Sequence, residues 1–111
     1  MKGDILKKLT RENMTFFFDK DIPPVMTVAP GEIFEVETED AIAGQLTPET
    51  VDKMTHAEMK ANVPCSNPVT GPIFVTGAEP GDCLEVEILD IQVDEYAWTI
   101  FDGTGGLLTN P

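Results

Sequence analysis

The octapeptide Pro30-Gly31-Glu32-Ile33-Phe34-Glu35-Val36-Glu37 has a counterpart in Pro80-Gly81-Asp82-Cys83-Leu84-Glu85-Val86-Glu87. The two copies stand 50 residues apart without a gap, and the match carries on to Asp40 and Asp90. Each copy is a Pro-Gly turn, an acidic residue and a segment alternating with period two. Alternation of that kind sends every second side chain to the same face of a strand. In the second copy Leu84, Val86 and Ile88 take the core side, and Glu85 and Glu87 the wet side. The fold class that follows is mainly β: an antiparallel, sandwich-like domain with one face in water. Two origins fit the repeat, an internal duplication or two hairpin starts of the same chemistry.

Other strands are spaced between turn signals. Met14 to Phe18 reads as a first strand, and its three consecutive Phe residues need burial on both faces or a partner surface for one ring. Val25 to Val28 follows a Pro-Pro turn, and Glu32 to Thr38 follows the first Pro-Gly corner. Ile73 to Val75 has the β-branched and aromatic composition of a buried strand. Leu84 to Ile91 changes phase near Ile88-Leu89, as a β-bulge would make it do. Val93 to Ile100, with Tyr96 and Trp98, is a further candidate strand. Between Thr47 and about Lys60 the spacing allows one short helix, with Thr47 as N-cap and Pro48 at the first helical position, or else a long loop. His56, the only histidine, lies there.

At 111 residues the chain is one β-rich domain, residues 1–111, or part of one. Its 20 acidic against 7 basic residues give a net charge of −13, which repels phosphate backbones and anionic lipid heads. Nucleic acid and membrane are thereby excluded as partners, and no apolar run approaches the roughly 20 residues of a membrane span. The N-terminus has charge without an apolar core, so no signal peptide is read and the cytoplasm is expected. Cys65 and Cys83 lack metal-site spacing, and in that compartment they are expected free and buried. The loop Asp102-Gly103-Thr104-Gly105-Gly106 is glycine-rich, but it has neither the Lys nor the following helix of a phosphate cradle.

The block from Asn67 to Asp82 is dense in turn chemistry: Asn67-Pro68, Gly71-Pro72 and Glu79-Pro80-Gly81-Asp82 enclose Ile73-Phe74-Val75. With Thr70, Gly77, Ala78, Leu84, Val86 and Ile88 it resembles the central motif of the acetamidase/formamidase family. Arg11-Glu12-Asn13, Pro24 to Gly31, Glu37-Thr38-x-Asp40 and the region of Gln45 resemble that family too. The resemblance extends from about residue 10 to 106. It implies a mainly β fold and hydrolysis of short linear amides, such as formamide or acetamide, to ammonia and a carboxylate. Members of the family are considerably longer, so the resemblance also implies that this stretch is their N-terminal part, an incomplete part of a larger all-β fold. The rest would come from further chain or from a partner subunit, in a homo-oligomer or a complex.

Amide hydrolysis needs an activated water or nucleophile, an acid for the leaving amine and donors for the oxyanion. No Gly-x-Ser-x-Gly is present, and neither cysteine has a visible activating neighbour. A water activated by a divalent metal, zinc or calcium, suits an acidic β-protein better. Asp40, at a strand exit among the small residues Ala41, Ala43 and Gly44, is the candidate metal ligand or general base. The same position also suits an Asp that closes a turn. Gln45 and Asn67 are the candidates for holding the substrate amide, or for structuring their loops. The alternative to an enzyme is a non-catalytic β-module that assembles through Phe16 to Phe18 and the C-terminal end.

Overall fold

The computed structural model describes residues 6–101. In chain order the elements are β1 (Lys7–Leu9), β2 (Met14–Thr15), β3 (Met26–Val28), β4 (Phe34–Val36), α1 (His56–Ala61), β5 (Val69–Thr70) and β6 (Ile73–Val75). They form three two-stranded sheets: β1 with β4, β2 with β5 and β3 with β6. The mainly β expectation stands, but the antiparallel sandwich does not. The β1–β4 and β3–β6 pairs are parallel, and only β2–β5 is antiparallel.

The turn chemistry explains the difference. At Ala29-Pro30-Gly31-Glu32 the Glu32 N–H donates to the Ala29 carbonyl at 3.0 Å, and Gly31 has φ +83°. Proline followed by a glycine at positive φ is the signature of a type II turn. That turn splays the strands on either side of it rather than joining them as a hairpin. Thus β3 and β4 leave the corner for different sheets. The second corner is built alike. Asp82 N–H donates to Glu79 O at 3.0 Å, and Gly81 has φ +95°. Each corner is also closed by its own carboxylate: Ala29 N–H donates to Glu32 Oε1 and Glu79 N–H to Asp82 Oδ2, both at 2.9 Å. The sequence repeat is therefore a structural repeat at its corners.

Past the corners the copies diverge. In the first, β4 lies in register with β1, Lys7 opposite Phe34, Lys8 opposite Glu35 and Leu9 opposite Val36. The ladder continues as Glu37 N–H donates to Leu9 O at 2.9 Å. Lys7 Nζ reaches Glu32 Oε2 at 3.1 Å, and Lys8 Nζ reaches Glu37 Oε2 at 3.3 Å. In the second copy no residue from Cys83 to Phe101 belongs to a strand. The expected strands Leu84 to Ile91 and Val93 to Ile100 have no ladder, so the bulge at Ile88-Leu89 has no partner to bulge against. Leu84, Val86, Ile88, Leu89, Ile91 and Val93 are all exposed. The expected core face of this ribbon lies open among the described residues.

The helix is also shorter than the spacing allows. Thr55, not Thr47, caps it: Glu58 N–H donates to Thr55 Oγ1 and Thr55 N–H to Glu58 Oε2, each at 3.1 Å, a reciprocal capping box. Thr47 does accept from Thr50 N–H at 3.2 Å, but it starts only turns, which give out before Thr55. The helix buries Met59, while Val51, Ala57 and Ala61 stay exposed. Other strands are trimmed: Met14 to Phe18 to its first two residues, and Glu32 to Thr38 to its middle three. Phe17 and Phe18 point outward, Phe18 at 95% exposure, so the aromatic run lacks a partner surface here.

The buried apolar residues are Leu9, Val28, Ile42 and Met59. The accessible surface is 9260 Å², against roughly 6,000 Å² for a compact domain of this mass. Both cysteines are free, as expected, but Cys83 is exposed and Cys65 half-buried, its thiol donating to Phe16 O at 3.3 Å. The loop Asp102 to Gly106 lies outside the described residues. Among the described residues no helix is long and apolar enough to cross a membrane.

Candidate functional site

The site is built on the tight loop that follows the first acidic ribbon. β4 ends at Val36, and four residues later stands Asp40, whose short carboxylate can reach backbone N–H groups just ahead of it. Oδ1 accepts from Ile42 N–H at 2.9 Å and from Gly44 N–H at 3.0 Å. Asp40 O accepts from Ala43 N–H at 3.2 Å, which closes the loop a second time. The winding needs left-handed backbone at Ala43 (φ +60°) and Gly44 (φ +75°). A Cβ at 44 would also crowd Glu39 Oε2, 3.1 Å away, so that carboxylate would have to shift by a few tenths of an ångström. Ala43 holds a conformation that costs a non-glycine residue about 1 kcal/mol.

The other two candidates attach to the same loop. Gln45 Nε2 donates to Ile42 O and to Met59 O, both at 2.8 Å, and its Oε1 accepts from Asn62 Nδ2 at 2.9 Å. Its amide thus ties the loop to α1. Asn67 N–H donates to Ala41 O at 2.8 Å, with Asn67 itself left-handed at φ +66°. The Asn67 side chain takes no part in that bond and is exposed. Asp40 and Gln45 flank residues 41–44 in sequence, and the fold brings Asn67 to the same loop.

Their outlooks differ. Asp40, Gly44 and Trp98 line a broad open groove that runs along the 82–98 segment, and neither Gln45 nor Asn67 lines it. Asp40 Oδ2 faces the indole of Trp98, whose Nε1–H donates across 3.4 Å. Trp98 is the residue that sequence reasoning missed. It lies 58 positions from Asp40, in a segment without regular structure, and its being the only tryptophan was the one available signal. Beside the loop, Arg11 Nε stands 3.9 Å from Glu39 Oε2, and Arg11 N–H donates to Glu37 Oε1 at 3.2 Å. That backbone hydrogen bond, aided by Lys8, holds the Glu37 carboxyl below its ordinary pKa. His56 opens α1, half-buried, and is not among the groove-lining residues.

The described residues do not make a metal site by themselves. Among them no group of three or more His, Cys, Asp or Glu side chains is arranged to hold an ion. Asp40 could give one oxygen, Oδ2; its Oδ1 already holds two backbone amides.

Comparison with known proteins fixes the lineage. The acetamidase/formamidase family pattern matches residues 4–110. The chain belongs to the acetamidase/formamidase family. An acetamidase from Mycolicibacterium smegmatis is 40% identical over 72 residues, covering 64% of this chain and 17% of that protein. A formamidase from Methylophilus methylotrophus is 34% identical over 98 residues, covering 81% of this chain and 23% of that protein. The chain thus spans about a fifth of the length of these acetamidase/formamidase relatives. No solved structure matches.

Proposed function

We propose that the chain contributes to the hydrolysis of the C–N bond of short linear amides, of the formamide or acetamide type, to ammonia and a carboxylate. The observation that carries this is the family match over residues 4–110, with relatives named for both amides. Because those relatives are some four to six times longer than the matched stretch, the active assembly holds more polypeptide, as a homo-oligomer or a complex with the chain that supplies the rest.

Within this reading Asp40 is the general base. Its Oδ2 opens on the groove and can accept a proton from water as the water oxygen attacks the amide carbon; the C–N bond then breaks, and a proton passes to the departing nitrogen. Trp98 Nε1–H orients the carboxylate, and the amides of Ile42 and Gly44 hold it still. Asn67 offers an exposed amide side chain for the substrate, while Gln45 acts first as the tie that sets the loop. The clustering of three left-handed residues, Ala43, Gly44 and Asn67, supports a site here, because backbone strain concentrates where function over-determines the structure. A divalent ion, zinc or calcium, would supply an activated water; Asp40 Oδ2 would then be a ligand in place of serving as the base, and the other ligands would come from outside the described residues.

Ammonia release from formamide and acetamide tests the reading. The chain is assayed alone and together with the unmatched portion of the M. smegmatis acetamidase, with and without added zinc or calcium. Activity only in the combination is expected. A well-folded combination that releases no ammonia under any condition rejects it. The second reading, a non-catalytic assembly module, draws on the exposed Phe18 and the open ribbon after Asp82; that negative result would favour it.

A further inference from the structure

We propose that Leu84-Glu85-Val86-Glu87 is a strand awaiting a parallel partner, and that the partner presents two basic residues followed by an apolar one. The proposal rests on the reading that the active assembly holds more polypeptide than this chain, but not on amide hydrolysis.

The argument is a comparison of the two copies of the repeat. Their corners superpose in chemistry, down to the carboxylate that closes each turn. After the first corner, the ribbon is satisfied by Lys7-Lys8-Leu9: parallel register, an apolar residue beside Val36, and two ammonium groups on Glu32 and Glu37. After the second, the same positions are Asp82, Leu84, Glu85, Val86 and Glu87. None has a strand partner or a basic neighbour among the described residues, where the positions equivalent to β1 fall in α1. Leu84 and Val86 are 61% and 80% exposed. An edge of this kind, unpaired and apolar on one face, is a template for strand addition. Like charges opposite its acidic face would oppose pairing, and that disfavours a second copy of the same ribbon. The occupant is instead a strand from the part of the family fold that this chain does not span.

Register follows as well. In the first copy Glu37 N–H points at β1, and the period-two pleat sends Glu35 N–H the same way. Their counterparts, Glu87 and Glu85, therefore donate to the partner, while Val86 N–H faces away.

The test is amide hydrogen exchange on the chain alone and mixed with the unmatched portion of the M. smegmatis acetamidase. In the mixture the amides of Glu85 and Glu87 are expected to slow at least ten-fold, Val86 much less, and Glu87→Lys is expected to weaken the complex at least ten-fold. A complex in which these amides exchange as in the free chain overturns the proposal. So does protection that appears in the chain alone and grows with its concentration, which would mark self-pairing. If the two pieces do not combine, a single-chain chimera, with residues 4–110 replacing the matching stretch of the acetamidase, gives the same readout. A folded chimera with unprotected Glu85 and Glu87, or a chimera that does not fold, counts against it. Protection without ammonia release keeps this inference and rejects the amidase reading; ammonia release without protection does the reverse.

Discussion

Asp40 has two separable duties, and two substitutions divide them. Its Oδ1 receives two backbone N–H groups, and its Oδ2 faces the groove and Trp98. Hydrogen bonds to a charged acceptor contribute about 1.5–3 kcal/mol each. Partial exposure of Asp40 pulls the pair toward the lower bound, so Asp40→Ala should cost about 2–4 kcal/mol by leaving two loop amides without their acceptor. Asp40→Asn keeps a carbonyl oxygen in the same place. It should retain both bonds at about 1 kcal/mol each and cost about 1–2 kcal/mol. Urea unfolding followed by the fluorescence of Trp98, the only tryptophan and a neighbour of the carboxylate, reads both values. Catalysis should order the variants differently. If Oδ2 is the base, Asn is as damaging as Ala, and each should lower ammonia release in the complete assembly at least 100-fold. Full activity in a folded Asp40→Asn would remove Asp40 from the chemistry. Asp40→Ala within about 0.5 kcal/mol of wild type would instead refute the loop argument.

Gln45→Ala removes three hydrogen bonds, one within the loop to Ile42 O and two that tie it to α1 and its C-cap, to Met59 O and Asn62 Nδ2, and should destabilise by about 2–3 kcal/mol in the same urea assay. Ile42→Ala, at 2% exposure in a core of few residues, should cost about 2–4 kcal/mol. Ala43→Gly relieves a left-handed alanine and should leave stability unchanged or raise it by about 0.5 kcal/mol in thermal unfolding, whereas Ala43→Val should lower it. Acid should weaken the β1–β4 pair. The Glu32 carboxyl is held below its ordinary pKa first by Ala29 N–H and then by Lys7, and Glu37 first by Arg11 N–H and then by Lys8. A lowered folded pKa means the unfolded state binds the proton more readily. The stabilisation is therefore full above the ordinary glutamate value, about 4.3, and is lost as pH falls through the lower folded values. Glu32→Gln with Glu37→Gln should flatten that acid limb, measured as the unfolding midpoint against pH.

Short-range chemistry was legible in the sequence. Pro-Gly at 30 and 80 announced the corners, and Asp40 among small residues announced a loop closed by a carboxylate. Gln45 and Asn67 were legible as loop residues, though not as two ties to the same four-residue turn. Pairing was not legible. Whether two strands run parallel depends on where the chain goes between them, and β1 and β3 meet partners 27 and 47 residues away. The Asp40–Trp98 contact is likewise invisible locally, because it joins a tight loop to a segment 58 positions away that has no regular structure.

The Leu84–Ile91 ribbon shows where that limit has content. Alternation specifies a strand's two faces, but it says nothing about which polypeptide covers the inner one. In the first copy the cover is Lys7-Lys8-Leu9, which lies before the corner in the same chain. In the second copy the pattern is equally clear and the described residues give no cover. The strand and the burial that the period predicts are both absent, because no described segment pairs with the ribbon or covers its apolar side chains. Among the described residues the buried apolar core is Leu9, Val28, Ile42 and Met59, and none of it comes from the ribbon. The acidic face of the ribbon then becomes informative, because unpaired carboxylates at the positions of Glu32 and Glu37 specify the charge of what must come to meet them.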